Sequence, residues 1–422
     1  MIPFYICCMN TINFSKHILK NGLKIIIHQD ATTPMAAVNV LYDVGSRDED
    51  ESRTGFAHLF EHLMFGGSVN IPIFDEPIEM AGGKNNAFTN TDITNYYEVI
   101  PAQNIETALW LESDRMLSLA FDPESLETQR KVVSEEFKEH YINQPYGDIS
   151  HLMSKLCFTK HNYRWPTIGA DLKHIEEATL TDVKSFFKKH YLPNNAIIAV
   201  CSPFTEDKIL PLIEKYFADI PSGEIAQRNI PSEPAQQEEK KLTVQRKVPA
   251  NALYMAFHCP ERTHKDFYAM DILTDLLSNG NSSRMHQKLV KENPMFIGIN
   301  CYHTGNHDPG LVKVSGKLLP GITFETAEAA IWEELQKIAE EKIEETELQK
   351  VKNKIESTFQ FSNIDLGERA FSLAYYELLF SAERINTDIE FYQAVTIEDV
   401  QRVAKNIFTK NNCSTLYYEA KK

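Results

Sequence analysis

Thr179-Leu-Thr-Asp-Val183, followed by Asn194-Asn195 and the apolar run Ala196-Ile-Ile-Ala-Val200, returns later as Thr396-Ile-Glu-Asp-Val400, Asn411-Asn412 and Cys413-Ser-Thr-Leu-Tyr417. The spacing is the same for each anchor: Asp182 to Asp399 and Asn194 to Asn411 are both 217 residues, close to half of the 422-residue chain. In each copy a Thr stands where a helix N-cap would accept a backbone N–H, the helix ends near Asn-Asn, and a strand-like run follows. A constant offset of this size points to a duplicated unit. The boundary is expected in the polar, proline-rich stretch 221–240, whose composition suits an exposed linker between an N-terminal unit (10–220) and a C-terminal one (241–422). Each half opens with β-type runs, Leu23–His28 and Ala36–Tyr42 in the first and Ala252–Phe257 in the second. Helical patterns follow at 105–119, 124–141 and 324–343. Strand, helix, helix, strand predicts an α+β fold: two related α/β-sandwich domains, each a mostly antiparallel sheet covered by helices.

Composition narrows the partners. Hydrophobic residues make up 43% and charged residues 24%, enough for real cores and against wholesale disorder. With 43 Lys and Arg against 59 Asp and Glu, the net charge of −16 disfavours nucleic acid and anionic membrane surfaces, and no basic run offsets it. No apolar stretch has the length of a membrane span. Seven scattered cysteines without a C-x-x-C predict reduced, mostly buried thiols. The short apolar start, Met1 to Met9, lacks a basic segment and a small-residue cleavage site, so a cytoplasmic chain is expected, with Met9 an alternative start and a periplasmic location left open.

The chemistry gathers in the first half. Gly55-Phe-Ala-His58-Leu-Phe-Glu61-His62-Leu-Met-Phe65 reads as a helix stopped by Gly66-Gly67. His58 and His62, four residues apart, share one helix face and can reach one metal ion, with Glu61 beside them and Leu59, Phe60 and Leu63 turned to the core. A catalytic site of this kind needs a third protein ligand and an open position. Candidates lie along the acidic helix 127–136, although such a face is ordinarily only solvated.

His-x-x-Glu-His, followed by Val132-Val-Ser-Glu-Glu136, resembles the inverted-motif pitrilysin/insulinase family of zinc metallopeptidases. The likeness is to its half-length branch, which includes the mitochondrial processing peptidase subunits. It continues through Asn21-Gly22-Leu23, Val44-Gly45-Ser46-Arg47, Asn86-Ala87-Phe88-Thr89, His161-Asn-Tyr163, Pro166-Thr-Ile168-Gly169 and Tyr191-Leu-Pro-Asn-Asn195. The resemblance implies a LuxS/MPP-like metallopeptidase fold and one Zn²⁺ per chain, held by His58, His62 and Glu136. Glu135 would be a bystander and Glu61 the general base. Asn86, Ala87, Phe88 and Thr89 would form the edge strand onto which substrate backbone is added. The implied activity is hydrolysis of unfolded peptides inside a chamber.

Two departures stand out. The family usually carries a further Glu seven residues before the ligand Glu, where this chain has Gln129, which still forms hydrogen bonds but holds no charge. The family grips substrate with an Arg and a Tyr seven residues apart, and the equivalent stretch here, up to Gly298, has no such pair: Arg284 is followed at that distance by Lys291, and Phe296 has no hydroxyl. A chain of this length amounts to half a chamber. The expected assembly is therefore a heterodimer in which a homologous, metal-free partner subunit supplies the Arg/Tyr pair, with a homodimer as the runner-up. The competing reading is a non-catalytic structural or substrate-binding subunit. Of the other histidines, His140, His151, His174 and His190 are expected at the surface and His303/His307 in a loop; Tyr268–Leu277 is expected to be a core helix without a metal motif.

Overall fold

A computed structural model describes residues 11–225 and 227–421. Cys7, Cys8 and the candidate start at Met9 lie outside the described residues.

Among the described residues eleven strands form two sheets. In the first, β1 (Phe14–Ile18), β2 (Lys24–Gln29), β3 (Met35–Tyr42), β4 (Lys84–Thr89), β5 (Thr94–Pro101) and β6 (Ala196–Ser202) lie in the order β1-β2-β6-β3-β5-β4. In the second, β7 (Lys240–Arg246), β8 (Ala252–Cys259), β9 (Phe296–His303), β10 (Gly310–Leu318) and β11 (Cys413–Ala420) lie in the order β7-β11-β8-β10-β9. Only β2–β6 and β7–β11 are parallel pairs. Strand for strand, β2-β6-β3-β5-β4 and β7-β11-β8-β10-β9 share one topology, so the duplication is present in the architecture, with β1 added at one edge.

The repeated residues explain why each copy folds alike. Thr179 and Thr396 both form a reciprocal capping box with the Asp three residues on. After the helices Leu180–His190 and Ile397–Ile407, Asn195 and Asn412 each use the side-chain amide twice. Asn195 donates to the carbonyls of His190 (2.9 Å) and Asp43 (3.2 Å), and Asn412 to those of Ile407 and His258 (2.9 Å each). In both copies one bond closes the helix end and the other holds the central strand of the sheet, setting the register of the strand that follows.

Each sheet buries one face under helices of its own half. The other face is covered by exchange. Leu366–Leu379, from the second half, packs Ala370, Leu373 and Ala374 onto Ile26, Ala37, Leu41 and Ala199 of the first sheet. Ile149–Cys157, from the first half, packs Met153 and Cys157 onto Ala252, Ala256 and Leu416 of the second. Ile149 and Leu366 are themselves 217 residues apart. Sequence reading placed helices on each sheet; the exchange was not foreseen, because amphipathicity shows that a helix is covered and not by which sheet.

The stretch 227–239 carries no helix or strand. Cys157, Cys201, Cys259, Cys301 and Cys413 are free and buried. Among the described residues no helix is long and apolar enough to cross a membrane.

Of the four histidines expected at the surface, His190 is buried and His151 and His174 are half-buried. His190 is buried against Phe186 (ring centroids 4.6 Å apart), His174 bonds to the Thr54 hydroxyl (2.7 Å), and His151 reaches the Gly169 carbonyl (2.9 Å). Only His140 is exposed. Their charged sequence neighbours concealed this, since helix positions next to one another face different ways.

Candidate metal centre

The helix Phe56–Leu63 buries Phe56, Ala57, Leu59, Phe60 and Leu63, leaving His58, Glu61 and His62 on its open side. It starts from Gly55 at φ +86°, where a side chain would meet the Ile168 carbonyl oxygen at 2.6 Å, so only glycine fits this entry. The helix has no N-cap side chain. Instead Glu49, buried, accepts from the N–H groups of Gly55 and Ala57 at 2.8 Å each. Burial pushes its carboxyl well up, opposed by these N–H bonds. In the sequence Glu49 sits within Asp48-Glu-Asp-Glu51, which reads as a solvated acidic run; its role was missed.

A second buried group lies beneath. Arg115, fully enclosed, pairs with Glu112 and with Glu98 (3.4 Å), and its guanidinium lies 4.3 Å from the ring centroids of both Phe74 and Tyr96. Burial and the neighbouring Glu112 drive the Glu98 carboxyl strongly upward, opposed by Arg115. No periodicity in the sequence announces this cluster.

Glu136 comes from the helix Pro123–Phe137, begun by Asp122, whose side chain accepts from the Ser125 N–H. The Nε2 atoms of His58 and His62 face one Glu136 oxygen at 3.7 and 3.4 Å, and the imidazoles cross at 89°. One donor atom from each of the three residues lies within 4.8 Å of the others, the single such grouping among the described residues. Burial lowers the His58 imidazole to about 4, leaving it neutral at physiological pH, and His62 holds Glu136 below the usual carboxylate range. For a tetrahedral ion with ligand bonds of about 2.0–2.1 Å, neighbouring donors sit roughly 3.3–3.4 Å apart. The two donor separations at Glu136 are close to that edge length, so two imidazoles and one carboxylate fit Zn²⁺. The His58 Nδ1 is buried without a hydrogen-bond partner, and among the described residues Gln129 bonds no member of the trio.

The remaining positions separate cleanly. Glu61 is half-buried beside β4; burial raises its carboxyl, while Thr89 and His62 pull it back. Asn86–Thr89 lie in β4, which pairs with β5 on one side only and forms the sheet edge. Glu135 points outward to Lys138 (2.8 Å), and Glu127 to Lys131 (3.2 Å) and Arg130 (3.3 Å). Arg284 is gripped bidentately by Glu347 at 2.9 and 2.8 Å. Phe296 is buried at the start of β9, and Lys291 is exposed. His303 ends β9 bonded to Asp271 (3.0 Å), whereas His307 lies in the following turn, its ring facing Arg47 (3.3 Å). Phe267–Ser278 is an almost wholly buried helix.

Several motifs outside the trio join the two halves. Arg47 reaches Asp308 (2.9 Å) and Asp92 (3.3 Å), Tyr163 donates to Asp92 (2.5 Å), and His161 approaches Asp308 (3.3 Å). The β9–β10 turn thereby docks on the loops of the first sheet.

Family models match both halves: insulinase (peptidase family M16) over residues 24–165 and the peptidase M16 inactive domain over 177–355. The zinc protease PqqE of Helicobacter pylori is 28% identical over 408 residues, covering 94% of this chain and 91% of that protein. The crystal structure of a protease from Helicobacter pylori superposes with a TM-score of 0.91 at 27% identity, over 97% of this chain and all of that one. The crystal structure of pitrilysin, at 18% identity and a TM-score of 0.78, shares the fold over 98% of this chain but only 45% of its own length. With both halves matched by M16 models and a near full-length likeness in sequence and fold, the chain belongs to the pitrilysin/insulinase family, peptidase family M16, in its half-length form.

Proposed function

We propose that the chain is the catalytic subunit of a zinc-dependent endopeptidase acting on extended, unfolded peptides. The convergence of His58, His62 and Glu136 at near-tetrahedral donor spacing, with Glu61 beside them and a free sheet edge alongside, carries this reading. His58, His62 and Glu136 would hold one Zn²⁺. When bound, zinc polarises the scissile carbonyl and acidifies the attacking water. The open edge of β4 at Asn86–Thr89 adds the substrate as a further strand. Main-chain pairing then supplies affinity with little demand on sequence, and it excludes folded proteins, which have no extended segment to offer. Glu61 takes the proton from the attacking water and delivers it to the leaving amine nitrogen. Its partial burial favours the first role, since a carboxyl shifted upward is a stronger base.

The chain matches 45% of the length of pitrilysin. With Arg284 committed to Glu347 and no Arg/Tyr pair in its neighbourhood, a homologous partner subunit would close the chamber and supply that pair. The test is cleavage of a quenched peptide library by the purified chain, with and without a co-purifying chain of similar length. Chelator-sensitive cleavage that rises on adding the partner and disappears in Glu61→Gln is expected. Full activity from the isolated chain would favour a homodimer. Absence of both metal and cleavage would reassign the chain to a substrate-binding subunit.

A further inference from the structure

The duplication makes the two sheets comparable position by position, and they differ sharply at one place. Leu41 pairs with Asn95 across β3 and β5, as Ala256 pairs with Lys313 across β8 and β10. Asn39 and Tyr254 likewise match, each two residues before the central position. In the first sheet the Asn39 and Asn95 side chains exchange two hydrogen bonds of 2.9 Å, and both are fully buried beneath Leu366–Leu379. The covering helix of the second sheet starts at the equivalent point but is shorter, nine residues against fourteen. At its N-terminal end lies a cavity of about 450 Å³, walled by Tyr141, Tyr146, Tyr254, Tyr302 and Lys313 among others. That volume lies within the range of ligand pockets.

Lys313 is mostly buried, and burial lowers its ammonium from the usual lysine range. Among the described residues it makes no salt bridge and no hydrogen bond. Such an ammonium is costly unless an anion meets it. The Tyr254 hydroxyl, raised to about 12 by burial, and the Tyr302 hydroxyl, also raised, stay protonated and hence able to donate. Neighbouring Lys317 lies over the Tyr146 ring (4.5 Å). The cavity also adjoins the metal centre in the chain, since His140 and Tyr141 on its wall follow Glu136 by four and five residues.

We infer that Lys313, assisted by the Tyr254 and Tyr302 hydroxyls, anchors a carboxylate of the bound peptide, and so sets a substrate preference that main-chain pairing along β4 cannot. Lys317 is turned onto the Tyr146 ring and does not line the cavity, so Lys313 brings one ammonium with neutral donors, which matches the single charge of a carboxylate; a phosphate dianion would call for a second cation at the wall or an arginine fork. The inference rests on the peptidase reading for its ligand. Two sources share this chemistry, the terminal carboxylate of a peptide and an acidic side chain within it.

The test uses the full chain carrying Glu61→Gln, to block turnover, and reads peptide binding by fluorescence anisotropy. Three labelled peptides of Ala, Leu and Gly serve as probes: one with a free C-terminal carboxylate, its C-terminal amide, and the amide with one internal Glu. Binding at least tenfold tighter for one carboxylate-bearing probe than for the plain amide is expected, and whichever probe gains identifies the source. Adding Lys313→Met should remove that preference, while Lys313→Arg should keep it. Lys313→Met should melt no lower than its parent, because it deletes an unpaired ammonium. Equal binding of all three probes, or a preference that survives Lys313→Met, would overturn the inference. A chain that cleaves peptides but shows no carboxylate preference loses this inference alone. One that binds carboxylates through Lys313 yet never cleaves a peptide loses the peptidase reading instead.

Discussion

Glu61 and His62 are adjacent in sequence yet face different tasks, and the helix explains why. His62 stands one turn from His58, so both imidazoles reach the Glu136 carboxylate, while Glu61, about 100° round the helix from His62, meets Thr89 at the end of β4. Replacing Glu61 by Gln keeps the shape and removes the base. Turnover should fall by about 10²–10⁴-fold with zinc content unchanged, measured by cleavage rate and metal analysis on one sample. A parallel loss of zinc would show Glu61 to be a ligand instead. The His58 Nδ1 lacks a partner where ligating histidines ordinarily donate to one, and Gln129 does not supply it. The His58/His62 pair was legible because its spacing is local to one helix, whereas Glu136, 74 residues on, was named only through the family resemblance. Glu49, Arg115 and Lys313 were not, because their significance comes from burial, which a charged residue does not advertise in sequence.

At the scale of elements, the entry of the Phe56–Leu63 helix is the most demanding point. Gly55→Ala must accept both a left-handed φ and a collision with the Ile168 carbonyl, at a cost of about 2–3 kcal/mol. Gly321, also at φ +86°, has nothing within 4 Å of the place where a side chain would sit. Gly321→Ala should therefore cost only about 1 kcal/mol. Thermal melting of the two variants should rank them in this order, and only Gly55→Ala should weaken zinc binding. Equal losses would mean that the crowding at Gly55 is not real. The Thr-capped helices and Asn-Asn turns were readable in advance because their bonds run between near neighbours or fix the next strand. The exchanged helices Ile149–Cys157 and Leu366–Leu379 were not, since their partners lie in the other half of the chain.

In the whole molecule, two sheets are tied by exchanged helices and by the buried pair Arg47 and Asp92 with the half-exposed Asp308. Arg47→Ala leaves Asp92 without its buried cation and should destabilise the chain by about 3–5 kcal/mol, read by chemical denaturation. Asp308 is held down to about 2, first by His161 and then, against burial, by Arg47. A carboxyl depressed on folding stabilises above its unfolded value of about 3.9, and that contribution is lost as pH falls from there towards 2. Between these limits the native chain should lose stability more steeply than Arg47→Ala. Identical slopes would show that Asp308 does not sense Arg47. The sequence marked Arg47 and His161 only as family-like motifs, because Asp308, which both meet, lies in the other half.

The central claim is that His58, His62 and Glu136 hold a single zinc ion. Native mass spectrometry of the purified chain after exposure to Zn²⁺ measures this directly. One zinc per wild-type chain is predicted, with loss of most of it in His58→Ala and in Glu136→Gln. A wild-type chain that stays metal-free, or variants that keep the full zinc content, would contradict it.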